Sequence, residues 1–215
     1  ILPTRNYQEG EFEGAERVSG EFMHEHYTEK AVACAGCPIA CEQITYVKEG
    51  EHKGARTSVD YESLYAVGPN CGVDSMAGII AAIERCDRYG MDTLSTGVTI
   101  SWAMECFQRG ILTKEDFDGL EPVWGNDQAV VELVRKIAYR EGIGDLLAEG
   151  VKRAAAKVGN GSEHFAMHVK GLECCGYDAR GMQTFALGCA VGTRGPCHNR
   201  SLAYEPDAKG EVDRL

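Results

Sequence analysis

Residues 74 to 90 read Asp74-Ser-Met-Ala-Gly-Ile-Ile-Ala-Ala-Ile-Glu-Arg-Cys-Asp-Arg-Tyr-Gly90. Met76, Ile79, Ile80, Ile83 and Cys86 recur at three- and four-residue steps, which puts them on one face of a helix. Asp74 can cap its start and Gly90 can supply the left-handed stop. The same grammar repeats downstream. Asp92 or Thr93 opens a helix carrying Leu94, Val98, Trp102, Cys106 and Phe107, ended by Gly110. Thr113 and Asp116 imitate a capping box. Asn126 to Arg140 puts Val130, Val131, Val134, Ile137 and Ala138 on one face before Gly142, and Asp145 to Val158 reads as a further helix stopped by Gly159. Gln183 to Gly192 is a short, glycine-containing helical candidate.

Strand signals are fewer. Gln43 to Val47 reads as a short strand followed by a charged hairpin loop, Glu49 to Arg56. His164 to Lys170 alternates, with Phe165, Met167 and Val169 on one side, and is the clearest strand in the chain. The polar, glycine-punctuated residues 1 to 30 read as an ordered loop with one short helix near Ala15 to Glu25. The expectation is a mainly α fold with a few short strands. Residues 1–160 form a helical domain, and 161–215 the start of a further, truncated domain, with the boundary near Gly159 to Glu163.

At 215 residues and 44% hydrophobic content the chain can bury a real core. Formal net charge is −11, from 33 acidic and 22 basic residues, with no basic run, so the footprint of a nucleic-acid binder is missing. No apolar stretch approaches the ~20 residues of a membrane helix. The ten cysteines are unevenly spread, unlike a secreted disulfide framework, which points to a reducing cytoplasm. The chain opens at Ile1 without an initiator Met, so it reads as a piece of something longer.

The triplet Cys34-Ala-Gly-Cys37-Pro-Ile-Ala-Cys41 spaces three thiols to wrap one metal centre. Structural zinc takes four protein ligands. A cubane iron-sulfur cluster needs four thiolates, commonly three close together and one remote, so a set of three favours the cluster. Ala35, Gly36, Ile39 and Ala40 are small or apolar, which lets backbone N–H groups approach cluster sulfides, and Pro38 fixes the turn. A zinc site and metal-free buried cysteines are the competing readings.

Three further constellations carry chemistry. In Asp60-Tyr61-Glu62 an acid and a phenol stand where a charged loop meets a buried element, so Glu62 can be a proton carrier with a raised pKa; a solvated Glu at a helix start is the plainer reading. Asp87-Arg-Tyr-Gly90-Met91 puts a carboxylate one turn before a helix-ending glycine, a place where the amide and amine donors of a pterin can be met, or simply an ordinary helix end. The run Gly188-Cys-Ala-Val-Gly-Thr-Arg-Gly-Pro-Cys-His198-Asn-Arg200 allows close approach to a ligand, with His198 as proton donor or acceptor and Arg194 and Arg200 for anions. His164 and His168 read as solvated or structural, and Cys174-Cys175 has no clear role.

Seven blocks stand in order along the chain: Leu2-Pro-Thr-Arg-Asn-Tyr7, the cysteine triplet, Tyr61-Glu62 with Gly68-Pro-Asn-Cys-Gly72, Asp92-Thr-Leu-Ser-Thr-Gly-Val-Thr-Ile-Ser101, Gly142-Ile-Gly-Asp-Leu-Leu-Ala-Glu-Gly150, His168-Val-Lys-Gly-Leu-Glu173 and Arg194-Gly-Pro-Cys-His198. Together they resemble the aldehyde:ferredoxin oxidoreductase family of tungsten-pterin enzymes. The resemblance implies a mainly helical second domain and the start of a third. It makes Cys34, Cys37 and Cys41 three of four [4Fe-4S] ligands, with the fourth beyond Leu215, as is the second pterin motif. It matches Asp87, Gly90 and Met91 to the first pterin motif, Met91 standing where Leu or Ile is usual. It gives Glu62 the place of the carboxylate near tungsten, Tyr61 that of its neighbour, and His198 that of the histidine that orients or protonates substrate.

The β-rich domain that cradles most of a tungsten (or molybdenum) bis-pterin would precede Ile1, so the fragment alone should hold cluster and pterin incompletely and be inactive. The implied reaction is anaerobic oxidation of a small aldehyde to a carboxylic acid with ferredoxin, or another low-potential carrier, as acceptor, in an enzyme that allows a homodimer. Alternatives that stay open are a benzoyl-CoA reductase-type tungsten subunit acting on an aromatic thioester, a silent homologue that keeps only the cluster, and a non-catalytic, zinc-stabilised interaction module.

Overall fold

The computed structural model of the chain describes residues 2–200, 207, 209 and 210. Ser19 opens α1 (Gly20–His26) by accepting from the Phe22 N–H at 3.1 Å. Strands β1 (Thr28–Val32), β2 (Glu42–Tyr46) and β3 (Arg56–Val59) form one antiparallel sheet in that order. The β1–β2 connection, residues 33–41, is the cysteine loop, and the β2–β3 connection is the charged hairpin loop expected from the sequence. The helices α2 (Tyr61–Val67), α3 (Met76–Tyr89), α4 (Thr93–Gln108), α5 (Asp127–Tyr139), α6 (Ile143–Leu147) and α7 (Val151–Val158) follow. A 3-10 turn (Ser162–Phe165), a two-stranded hairpin of β4 (His168–Val169) and β5 (Leu172–Glu173), α8 (Gln183–Val191) and a last 3-10 turn (His198–Arg200) come next. No single helix among the described residues is long and apolar enough to cross a membrane.

Helix α4 is the axis of the core. Val98, Ile100, Trp102, Ala103 and Cys106 are fully buried, and so are Ser101 and Glu105, so every side of the helix faces protein. A Cβ on Gly97 would lie 2.5 Å from the Ala66 carbonyl oxygen, so α2 and α4 meet backbone to backbone there. Burial on all sides obliges each polar atom to find a partner. Trp102 Nε1 donates to the Ser162 carbonyl at 3.0 Å. Glu105 accepts from Asn6 Nδ2 at 2.7 Å and pairs with Arg109 at 2.6 Å, and Asn70 donates to Ser101 at 2.8 Å. The Leu2-to-Tyr7 segment is therefore tied to the core by polar contacts as well as by apolar packing.

Three local expectations change. Ser75, one residue later than Asp74, caps α3: its hydroxyl accepts from the Gly78 N–H at 3.2 Å, while Asp74 pairs with Arg17. The helix expected over Asp145 to Val158 is two, α6 and α7, because Gly150 takes φ 80° and breaks the ladder, and because α6 must hug α5; a Cβ on Gly144 would lie 2.1 Å from the Lys136 carbonyl oxygen. The strand expected over His164 to Lys170 shrinks to His168–Val169. Ser162–Phe165 winds into a 3-10 turn that offers the Ser162 and Phe165 carbonyls to Trp102 and Asn6, and Lys170 and Gly171, both at positive φ, turn the hairpin at once.

Glu173 joins this last segment to the helices. Its Oε1 accepts from the Val151 N–H at 3.0 Å, capping α7 from a distance, and its Oε2 accepts from the Ser95 hydroxyl in the first turn of α4 at 3.0 Å. Both bonds place a carboxylate at helix N-termini, where the peptide dipoles favour it. Glu173→Ala should lower unfolding stability by about 2 kcal/mol, the scale of a lost cap that leaves a buried donor unpaired. Chemical denaturation checks this, and Glu173→Gln should lose less.

Candidate active site

Asp60 starts α2 by accepting from the Ser63 N–H at 2.9 Å, which sends the next two side chains, Tyr61 and Glu62, across to the loop after β5. The Tyr61 hydroxyl donates to the Gly176 carbonyl at 2.6 Å, and Glu62 Oε2 accepts from the Gly176 N–H at 2.8 Å. One residue, Gly176, is thus clasped at both its backbone N–H and its carbonyl by adjacent residues of one helical turn. Only glycine fits: a Cβ there would lie 2.8 Å from the Tyr65 ring and 2.9 Å from the Tyr61 ring. The other carboxylate oxygen, Oε1, is buried without an aligned hydrogen bond and stands 3.2 Å from His198 Nδ1. Glu62 and His198 line one cavity. That cavity has a volume of about 270 Å³ and is also lined by Asp60, Ser95, Cys175 and Arg194.

Burial shapes the proton affinities. The Glu62 carboxyl is pushed up to about 7, first by desolvation and then by the Asp60 charge, against the Gly176 N–H. Burial lowers the His198 imidazole from its ordinary value, with Asp60 opposing. Both shifts favour the uncharged forms, so near neutral pH the pair holds one labile proton between two weakly charged partners. The Tyr61 phenol is raised by burial and by the Glu62 charge, which leaves it a fixed donor. Tyr177 packs against His198 with ring centres 5.2 Å apart and against Tyr61 at 5.4 Å. It also lines a second cavity of about 350 Å³ with Tyr7, Phe165 and Phe185.

Cys175, Gly176 and Tyr177 were not identifiable as site residues from the sequence. The glycine after two cysteines was the available signal, since it demands a close backbone approach. Cys175 is buried, and its Sγ, a Glu62 carboxylate oxygen and a His198 ring nitrogen all lie within 4.8 Å of one another.

The remaining expected residues stand elsewhere. Cys34, Cys37 and Cys41 share the β1–β2 loop, with Cys34 and Cys41 exposed. The Cys37 N–H donates to the Cys34 carbonyl at 3.0 Å with Gly36 at φ 77°, a hydrogen-bonded turn that puts two of the three cysteines on one bend. Asp87 lies exposed in the last turn of α3, accepting from the Thr57 hydroxyl. Gly90 caps that helix at φ 67°, and the Gly90 and Met91 N–H groups bond back to the Asp87 and Cys86 carbonyls at 3.1 and 2.9 Å. This motif does not line the Glu62 cavity, but the next residues, Asp92 to Ser95, do.

The model of the aldehyde ferredoxin oxidoreductase family, domains 2 and 3, matches residues 1–215. This chain belongs to that family. It is 42% identical over 214 residues to a tungsten-containing aldehyde ferredoxin oxidoreductase of Pyrococcus abyssi, and 39% identical over 211 residues to one of Thermococcus kodakarensis, in each case covering 98% of this chain and 34% of the relative. The chain therefore spans about a third of the length of these relatives. A Pyrococcus furiosus protein named as an aliphatic sulfonate oxidoreductase, WOR-like subunit, is 34% identical over 220 residues, covering 99% of this chain and 35% of that protein. The fold is shared with the active-site complex BamBC of benzoyl coenzyme A reductase in complex with 1,5-dienoyl-CoA, at TM-score 0.72 and 20% identity over 91% of this chain and 30% of that one.

Gly176→Ala should force the Tyr61 and Tyr65 rings apart and break both clasp bonds, at a cost of about 1–3 kcal/mol for overpacking. Reduced thermal stability, together with a changed tyrosine near-ultraviolet circular dichroism, reads that outcome.

Proposed function

We propose that this chain supplies the proton-handling and electron-exit residues of a tungsten-pterin oxidoreductase that oxidises a small aldehyde to a carboxylic acid, with ferredoxin as electron acceptor. The observation that carries the reading is the buried Glu62 carboxylate, held by Gly176 on one oxygen and turned toward His198 and an open cavity with the other. The named activity of the relatives at 39–42% identity supports it. The benzoyl-CoA reductase alternative is supported by fold alone, at 20% identity.

The residues fit the groups the reaction needs. The cysteine loop presents thiols of which Cys34 and Cys41 are exposed, in a turn of small residues, suited to three corners of a cubane. Asp87, exposed at a helix end, offers a carboxylate to the N–H donors of a pterin, beside the Gly90–Met91 turn. When bound, a tungsten-pterin centre and a [4Fe-4S] cluster supply the two-electron redox step and the one-electron exits.

The balance is RCHO + H2O → RCOOH + 2H⁺ + 2e⁻, so protons must leave as electrons do. Ionised Glu62 takes a proton from the attacking water at Oε1, the oxygen not engaged by Gly176. His198, neutral and adjacent, orients the carbonyl and passes the proton outward. Tyr61 and Tyr177 keep the pair in register and exclude water. The apolar cavity beside Tyr177 gives room for the aldehyde's substituent.

Glu62→Gln in the full-length protein should keep metal content but lower turnover by about 100-fold or more. Because the Glu62 carboxyl is raised to about 7, wild-type turnover should rise as pH passes through that value, a limb the variant lacks. Linkage has the opposite sense. The folded chain binds a proton that the unfolded chain has released above its ordinary 4.5, so Glu62 lowers stability as pH climbs from 4.5 to about 7, and the Gln variant should flatten that slope. Wild-type turnover in Glu62→Gln with full metal content would reassign the proton path.

Cys37→Ser should lose iron and acid-labile sulfide, with the broad visible absorption, in anaerobically purified full-length protein. Retention of a four-iron cluster by that variant would remove the cysteine loop from the electron path.

A further inference from the structure

We propose that Glu62, Cys175 and His198 form a binding site for a borderline-soft divalent cation, zinc above all, within the cavity that handles substrate protons. The donor set is one carboxylate, one thiol and one imidazole, their ligand atoms all within 4.8 Å of one another. Three protein ligands with a fourth position open to solvent or substrate is the pattern of zinc sites that keep an exchangeable ligand, and the cavity of about 270 Å³ leaves that position open. A hard cation such as magnesium or calcium prefers an all-oxygen shell, which the sulfur and nitrogen here exclude.

The geometry is close to what zinc requires. Bonds of ~2.0–2.1 Å to nitrogen and oxygen set a tetrahedral edge of ~3.3 Å, and Glu62 Oε1 already stands 3.2 Å from His198 Nδ1. With a ~2.3 Å bond to sulfur the other edges are ~3.6 Å, so from separations within 4.8 Å each sulfur edge has to close by about 1.2 Å at most, within reach of a side-chain rotation. A second observation points the same way: Oε1 is a buried acceptor with no aligned hydrogen bond, 3.2 Å from the imidazole nitrogen.

Outer contacts hold the ligands. The Gly176 N–H fixes the distal carboxylate oxygen at 2.8 Å, the His198 backbone N–H donates to the Cys175 sulfur, and Tyr177 packs on the imidazole at 5.2 Å. The ligands come from α2, the loop after β5 and the 3-10 turn His198–Arg200, so the cation would lock three separate segments together. Binding replaces the Cys175 S–H bond by a zinc–sulfur bond and releases that proton to solvent. Because the same Oε1 and imidazole handle substrate protons, a bound cation silences the site reversibly. All three ligands belong to this chain, so the site stands whether or not the tungsten reading does.

The test uses the full-length protein, purified anaerobically with its resident cofactors and loaded with one equivalent of Zn²⁺. Zinc K-edge X-ray absorption should show one sulfur at ~2.3 Å and nitrogen or oxygen neighbours at ~2.0–2.1 Å. Isothermal titration should show one site per chain, weakened more than about 100-fold by Cys175→Ser, beyond the range of an outer-contact change. His198→Gln should weaken it likewise, and carries the test if Cys175→Ser does not fold. A zinc shell with three or more sulfurs would put the metal on the cysteine loop and overturn the proposal. So would no binding at micromolar zinc, or an affinity unchanged in both variants.

Discussion

The clasp on Gly176 is the contact on which the site depends. Two adjacent residues of α2 grip the two backbone polar groups of one residue, Tyr61 at the Gly176 carbonyl and Glu62 at the Gly176 N–H. A helix start and a loop 114 residues later are thereby held in register. The clasp orients Glu62, since a carboxylate with one oxygen engaged has the other turned by geometry, here toward His198. It also positions Cys175 and Tyr177, the neighbours of the clasped glycine. The absence of a Cβ makes it possible, because the rings of Tyr61 and Tyr65 occupy the space a side chain would need.

Polar bonds between distant segments do comparable work around α4. Glu173 reaches from β5 to the first turns of α4 and α7, and Asn6 reaches from the N-terminal segment to Glu105 and the Phe165 carbonyl. Each is a buried or half-buried group whose donors and acceptors are satisfied by a partner far along the chain. Apolar burial drives these segments together with little directional preference, whereas hydrogen bonds of this kind fix the angle at which they meet. The Glu62 cavity, which lies where α2, the start of α4 and the last described loop converge, inherits its shape from that angle.

The proton chemistry follows from the same burial. A carboxyl raised to about 7 beside an imidazole shifted down is a pair in which neither partner is firmly charged near neutrality. The Asp60 carboxylate, required as a helix cap, raises Glu62 further, so one residue serves both the start of α2 and the proton affinity of the site. The cysteine loop is built differently: it is a turn of small residues between two strands, with the Cys34 and Cys41 thiols exposed.

The sequence by itself determined which segments are helices, because a 3.6-residue apolar period with capping residues and glycine stops is a local property: α3, α4 and α5 stand within a residue or two of the expected limits. It also pointed to Glu62, His198 and the family, since those signals lie in residue types and their order. Tertiary structure decided the rest. The close seating of α6 on α5 at Gly144 and the shortening of the 164–170 strand arise from partners, Lys136 in one case and Trp102 and Asn6 in the other, that no local window contains. Cys175 and Tyr177 became site residues only through the clasp on Gly176. The meeting of Glu62 with His198, separated by well over a hundred residues, rests on one glycine gripped across space at its N–H and its carbonyl, and composition and periodicity carry no record of such a contact.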